Sequence, residues 1–301
     1  MLSRQFQSFC ETAQKYNELY KIFTRGEGPQ NKIWIHEKLM PILIPKLNLV
    51  KDSHKFKVLS VGAGNGSFDL LLINALLKEI KSHFPGTTAS WTVVEPNSVA
   101  VQDFQRKVQS DEDYCTNISF VWEIETFQDF ISKQRRVKEA QKYHLITFIH
   151  SLYYVDERLA LRQSYNLLLE DQGMILAVKE KEKSTTLEAF RMYVQLMGQT
   201  PRDFTLSEEI LLELQLELGM AYDRFTVPIS VDITEMFHDD DPVGGALVNF
   251  LLHTSDDPRK SEEGIKMLEF LKSKSWSVLK GEEEIFLVNM DIDVTAITKS
   301  V

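Results

Sequence analysis

Val58-Leu59-Ser60-Val61-Gly62-Ala63-Gly64-Asn65-Gly66 is the stretch on which the fold turns. Four mostly apolar residues run directly into a loop with glycine at every second position. Ser67-Phe68-Asp69-Leu70-Leu71-Leu72-Ile73 follows and reads as the first turns of a buried helix. A strand, a tight turn and a helix in that order open a doubly wound α/β domain. Glycine serves where the backbone takes positive φ, or where a Cβ would strike a group lying across the strand end. The free N–H groups at the helix start can donate to a ligand there.

Spacing narrows the ligand. A dinucleotide loop follows G-x-G-x-x-G, with the third glycine letting the helix approach the sheet. Here that third position is Ser67 and the extra glycine stands one residue earlier, which weighs against a nicotinamide-dependent oxidoreductase. Gly62, Gly64 and Gly66 are the expected cofactor loop. Trp91-Thr92-Val93-Val94-Glu95-Pro96 is a second short strand ending in a carboxylate, 33 residues beyond Gly62. A carboxylate at the end of the neighbouring strand can accept hydrogen bonds from both hydroxyls of an adenosine ribose. Glu95 and the adjoining Pro96 are therefore assigned to cofactor binding.

With 301 residues, 43% of them hydrophobic, the chain can bury a sizeable core as one elaborated domain or two small ones. A net charge of −10 disfavours nucleic acid as the main partner, because phosphate contacts need an excess of Lys and Arg. Cys10 and Cys115 have no paired spacing, so neither a disulfide framework nor a Cys-ligated metal site is expected. No metal is assigned. The absence of a signal-peptide run and of an 18-residue apolar stretch points to a soluble cytosolic protein with no membrane partner.

The remainder supports the same order. Phe6, Phe9, Tyr16, Leu19, Tyr20 and Phe23 form an aromatic stripe at helical spacing over residues 5–23, suited to core packing or to roofing a small-molecule pocket. A second amphipathic helix is expected over 31–46, bounded by Pro41 and Pro45. Helices are expected over 97–110, 127–142, 156–170, 184–200 and 205–219, and two more within 233–275. Strands are expected over 117–122, in the first half of Tyr143–Val155, and after a turn within Leu169–Val178. They are also expected over Tyr222–Val231 and finally over Glu284–Met290. Alternation of strand and helix argues a parallel sheet with right-handed crossovers, and the last strands an antiparallel pair closing its edge. His150, Tyr153 and Tyr154 fall at the carboxyl end of the fourth strand, the edge where open α/β sheets hold ligands. Lys179-Glu180-Lys181-Glu182-Lys183 reads as a solvated charged segment.

These landmarks resemble the histamine N-methyltransferase family. The resemblance rests on Lys15-Tyr16 in the aromatic helix, Lys57-Val58-Leu59-Ser60-Val61-Gly62-Ala63-Gly64, Val93-Val94-Glu95-Pro96, and Trp122 with Glu125-Thr126. It continues through Phe148-Ile149-His150, Leu152-Tyr153-Tyr154-Val155 and Phe286-Leu287-Val288. It implies a Rossmann-like, seven-stranded class I methyltransferase sheet, mostly parallel with an antiparallel edge, carrying helical substrate-binding additions. The whole of 1–301 would be one methyltransferase domain. Residues 1–46 would form a helical lid or substrate part, 54–180 the cofactor core, and 181–280 the substrate-binding additions and late strands. The implied cofactor is S-adenosyl-L-methionine, and the implied state a cytosolic monomer.

By the same resemblance Gly62, Glu95, Thr126, Phe127 and Ile149 fall on cofactor positions. Tyr16, Tyr20, Phe23, Glu27, His150, Tyr153, Tyr154, Val178, Phe250 and Glu282 fall at or near the substrate pocket. The pattern also departs. The family's glutamate after the first helix has no clean match at Glu27-Gly28-Pro29. Its substrate-contacting glutamine becomes His150, and its late asparagine Glu282. On the cofactor side a glutamine becomes Ala100 and a serine Phe127. Cofactor and fold carry over; histamine as the acceptor does not.

Methyl transfer to nitrogen is an in-line displacement, with the lone pair held about 3–3.5 Å from the methyl carbon. It needs no covalent nucleophile. An aromatic box suits a flat or cationic amine. His150 is the expected catalytic residue, hydrogen-bonding the acceptor or taking its proton. Glu27 or Glu282 would pair with an ammonium group. Lys179, if it faced inward, would favour a carboxylate-bearing acceptor such as an imidazole dipeptide. The competing reading is a repurposed binding protein that keeps the fold and the cofactor without turnover.

Overall fold

The computed structural model describes residues 13–23, 28–47, 55–83, 86–201, 206–238, 241–254, 257–281 and 283–299. In chain order the elements begin with α1 (Ala13–Phe23), α2 (Gly28–Trp34), a π-turn over Ile35–Leu39, α3 (Met40–Leu47), β1 (Lys55–Val61) and α4 (Ser67–His83). Then come β2 (Thr88–Val94), α5 (Ser98–Gln109), α6 (Glu112–Asn117), β3 (Ile118–Glu123), α7 (Phe127–Gln134) and β4 (Tyr143–Ile149). A 3₁₀ turn over Leu152–Tyr154 leads to α8 (Glu157–Gln163), a π-turn over Ser164–Leu168, β5 (Leu169–Glu180), α9 (Thr185–Leu196) and α10 (Glu208–Leu218). The chain continues through β6 (Ala221–Val227), β7 (Ser230–Asp232), α11 (Pro242–Leu252), α12 (Glu262–Lys274), β8 (Trp276–Lys280), β9 (Glu283–Asn289) and β10 (Ile292–Thr298).

Seven strands form one sheet in the order β3-β2-β1-β4-β5-β10-β6. The pairs β1–β2, β2–β3, β1–β4 and β4–β5 are parallel. β10 runs against β5: Lys181 N–H donates to the Asp291 carbonyl at 2.8 Å, and Lys299 N–H to the Gly173 carbonyl at 3.1 Å. The sheet is thus mostly parallel and closed at one edge by an antiparallel pair, as expected. Strand order reverses between β1 and β4, the place where such sheets open a crevice at their carboxyl ends.

The helices start where short polar side chains cap them. Asn97 Oδ1 accepts from the N–H groups of Val99 and Ala100 at α5, and Thr126, Asp156, Ser184 and Ser207 do the same at α7, α8, α9 and α10. Leu72, Leu76 and Ile80 share one face of α4 with Ile73 and Leu77, and all are buried. One core joins Leu59, Val61, Phe130, Ile146, Phe148, Leu168, Ile175, Leu211 and Ile297. Full burial of each such side chain stabilises by roughly 1.5–3 kcal/mol.

Several expectations need correcting. Glu284–Met290 is not a strand of the main sheet: β9 pairs with β7 and β8 in a separate antiparallel sheet, and β10 takes the place in the main one. Tyr222–Val231 is two strands, because Pro228 has no N–H for a ladder and interrupts the run between β6 and β7. The helix expected over 127–142 stops at Gln134; beyond it Val137 is exposed and there is no apolar face to bury. Pro41 and Pro45 do not bound the second helix but lie within α3, where the preceding π-turn lets Met40 N–H donate to Ile35. The charged segment is not wholly solvated either. The Lys179 side chain is 1% exposed and paired with Glu157, and Glu180 accepts from the Ser184 and Thr186 hydroxyls.

The chain divides into two compact units that interleave in sequence. One comprises the described residues within Asn31–Lys179, Leu206–Phe225 and Val294–Val301; the other those within Met1–Gln30, Glu180–Thr205 and Thr226–Asp293. The first unit holds the parallel strands and the glycine loop. The second holds α1, α9, α11, α12 and the small sheet.

Candidate active site

Gly62, Gly64 and Gly66 all take left-handed φ, at 69°, 56° and 73°. A Cβ on Gly62 would stand 2.4 Å from the Ser151 Cβ, and one on Gly66 would enter the Phe104 ring at 2.2 Å. Among the described residues a Cβ on Gly64 would meet nothing within 4 Å. Gly62 N–H donates to the Val94 carbonyl at 2.8 Å, which ties the loop to the end of β2. Lys107 of α5 supports it from outside, donating to the Asn65 carbonyl at 2.9 Å and to Ser67 Oγ at 3.2 Å.

Glu95 stands at the end of β2, beside this loop. Its Oε2 accepts from Gly64 N–H at 2.9 Å and its Oε1 from Asn97 N–H at 2.8 Å. Burial pushes its carboxyl pKa up, while these two N–H groups oppose the rise. Each oxygen keeps a further lone pair for an incoming hydroxyl. Beneath lies Asp69, in the first turn of α4, accepting from Trp91 Nε1 at 2.9 Å. Burial raises its pKa to about 6. Its one sequence signal is a carboxylate set in an apolar run.

His150 follows β4 in a left-handed conformation, φ 50°, uncommon for any residue but glycine. Its N–H donates to the Val178 carbonyl at 2.9 Å, and its ring Nδ1 is hydrogen-bonded to Tyr153 Oη at 2.8 Å. Desolvation lowers its pKa to about 4. A proton-accepting role, inferred from an ordinary imidazole pKa, is thereby weakened; a neutral hydrogen-bonding role is left. Tyr153 and Tyr154 are half-buried, their centroids 6.1 Å apart edge to face. Lys179 Nζ lies 5.2 Å from the Tyr153 ring centroid. Lys179 is therefore not a free cation at a pocket mouth, and the argument from it to a carboxylate-bearing acceptor falls.

Other expected residues are placed less directly. Ile149 ends β4 and is half-buried; Pro96 and Thr126 are exposed, and Thr126 caps α7. Phe127 is buried against Phe148 in an edge-to-face pair at 5.5 Å, and Val178 is fully buried in β5. In the other unit Phe250 of α11 packs on Phe23 at 4.7 Å and on Tyr20 at 5.9 Å. His253, at the left-handed end of α11, adds an imidazole 6.2 Å from Phe250 and 5.4 Å from Phe190. The Tyr16 side chain, Glu27 and Glu282 lie outside the described residues. Among the described residues no group of His, Cys, Asp and Glu could hold a metal ion, and no helix is long and apolar enough to cross a membrane.

The sheet order, the glycine loop and the carboxylate after β2 together define the class I methyltransferase fold. A putative methyltransferase from Bacillus halodurans shares it, with a TM-score of 0.50 at 10% identity over 86% of this chain and 99% of its own. By sequence the chain is similar to several histamine N-methyltransferases. It is 24% identical to histamine N-methyltransferase A of Xenopus laevis over 97% of this chain and 99% of that protein. It is 28% identical to the histamine N-methyltransferase of Cavia porcellus over 72% of each. Carnosine N-methyltransferase 2 of Gallus gallus is 24% identical over 81% of this chain and 74% of that protein. No protein-family profile matches the chain.

Proposed function

We propose that the protein is an S-adenosylmethionine-dependent N-methyltransferase acting on a small imidazole-containing or other biogenic amine. The observation that carries this is the carboxylate of Glu95, gripped by Gly64 N–H beside a loop of left-handed glycines. Those residues fit an adenosine ribose: the Glu95 carboxylate would accept from its hydroxyls, and the bare Gly64 would let the ligand approach the backbone. When bound, S-adenosylmethionine supplies a methyl group activated by a sulfonium.

The chain's own residues then bind, orient and shield. Gly62, Gly66 and Ser151 hold the loop, with Ser151 Oγ–H donating to the Val61 carbonyl at 2.6 Å. His150, neutral in its half-buried site, orients the acceptor by a hydrogen bond rather than by taking its proton. Tyr153 and Tyr154 offer ring faces to a flat or cationic acceptor. We further place the protein in the cytosol as a monomer, a reading supported by two cysteines without paired spacing and by the acidic charge. Sedimentation and fractionation would check it.

The test is transfer of labelled methyl to a panel of histamine, histidine, imidazole dipeptides, and phenyl- and indole-ethylamines. Turnover on one class is expected. Tight cofactor binding with no turnover on any amine would overturn the enzymatic reading in favour of a repurposed binding protein.

A further inference from the structure

Four side chains of one unit, two from the segment after β4 and one each from α8 and β5, make a connected polar group. Tyr153 Oη meets His150 Nδ1 at 2.8 Å. Lys179 lies over the Tyr153 ring at 5.2 Å, and Glu157 provides its countercharge in a buried ion pair. Among the described residues His150 Nε2 has no hydrogen-bond partner, and the residue is half-buried. The hydrogen between Oη and Nδ1 can belong to either. A phenol is a stronger acid than a neutral imidazole N–H, and an imidazole nitrogen a stronger base than a phenol oxygen, so O–H···N is the favoured arrangement. A cation held against the ring face draws electron density from the phenol and strengthens its O–H as a donor. Low local dielectric enlarges that effect. A neutral imidazole that accepts at Nδ1 carries its one proton at Nε2.

We infer that Tyr153 is a positioning residue that fixes His150 as an Nε2–H donor, and that His150 therefore selects an acceptor molecule bearing a hydrogen-bond-accepting oxygen, a carbonyl or carboxylate. An ammonium or a ring N–H presented to His150 would meet donor with donor. The lone pair of the nitrogen to be methylated cannot serve either, because a hydrogen bond to it would block the attack. This deepens the reading above and rests on it for the identity of the ligand, but the tautomer does not.

The tautomer is read directly by long-range ¹H–¹⁵N correlation on protein labelled at histidine nitrogen, with His150 assigned by its disappearance in His150→Gln. The expected result is one neutral tautomer with the proton on Nε2 in the wild type, and a mixture in Tyr153→Phe. Lys179→Met combined with Glu157→Gln, which leaves no buried charge unpaired, should give a smaller shift in the same direction. A proton on Nδ1 in the wild type, or an unaltered tautomer in Tyr153→Phe, overturns the inference. In the amine panel Tyr153→Phe should raise KM about tenfold for oxygen-bearing acceptors, the loss of one buried hydrogen bond of about 1.4 kcal/mol. The rise in KM for oxygen-free amines should be several-fold smaller. Equal effects on both series overturn the selectivity. A panel without turnover would sink the methyltransferase reading, while the tautomer would still stand or fall by its own spectrum.

Discussion

Two buried titratable residues oppose each other in their effect on stability. Asp69 has its pKa raised from 3.8 to about 6 by burial. Its folded form binds more protons than the unfolded chain between those values, so it costs stability as pH rises through that window. Fully expressed, this is about 3 kcal/mol. His150 has its pKa lowered from 6.5 to about 4. Its folded form binds fewer protons than the unfolded chain, so stability is lost as pH falls from 6.5 towards 4. The two slopes largely cancel in the wild type. Asp69→Asn, which keeps an acceptor for Trp91, should remove the alkaline loss; His150→Gln should remove the acid loss. Urea unfolding between pH 4 and 8 should show the two variants tilting in opposite directions, and parallel profiles would refute both assignments. Glu95→Gln leaves two backbone donors in place but removes the charge, and should weaken S-adenosylmethionine binding at least tenfold by calorimetry.

At the scale of elements, the glycine loop separates conformation from packing. Gly64→Ala meets no neighbour among the described residues, so the left-handed backbone is the penalty expected, about 1–2 kcal/mol. Gly66→Ala bears the same penalty and also drives a methyl into Phe104, adding about 1–3 kcal/mol. Thermal denaturation should rank wild type above Gly64→Ala and Gly64→Ala above Gly66→Ala; equal midpoints would show that the loop relaxes freely. The edge strand β8 is the contrary case. Trp276, Val278 and Leu279 are exposed on it, so Leu279→Lys should change stability by less than about 0.5 kcal/mol while lowering aggregation measured by light scattering.

For the molecule as a whole, ligand linkage distinguishes the competing classes. S-adenosylmethionine at about a hundred times its Kd should stabilise the native state by about 2.7 kcal/mol, whereas a nicotinamide dinucleotide should give no shift. A shift with the dinucleotide alone would reverse the loop assignment made on Ser67. The first unit, with its loop and carboxylate, is the one expected to be protected in hydrogen exchange under that ligand.

The chain's local order was legible because its causes are local. An apolar run into left-handed glycines, a carboxylate closing the next strand, and caps such as Asn97, Ser184 and Ser207 act over a few residues, and the alternation of strand and helix follows from them. That much determined the sheet, the glycine loop and the place of Glu95 beside it. Tertiary structure alone decided what depends on distant partners. β10 pairs with β5 more than a hundred residues earlier, so nothing within Ile292–Thr298 distinguishes it from β9 as the closing strand. Lys179 looks solvated in a run of alternating charges, yet Glu157, 22 residues before it, makes its burial possible. His150 looks like an imidazole of ordinary basicity until its enclosure and the Tyr153 hydroxyl are seen. Desolvation and ion pairing are set by whichever groups the fold brings within a few ångströms, and sequence spacing does not encode that proximity.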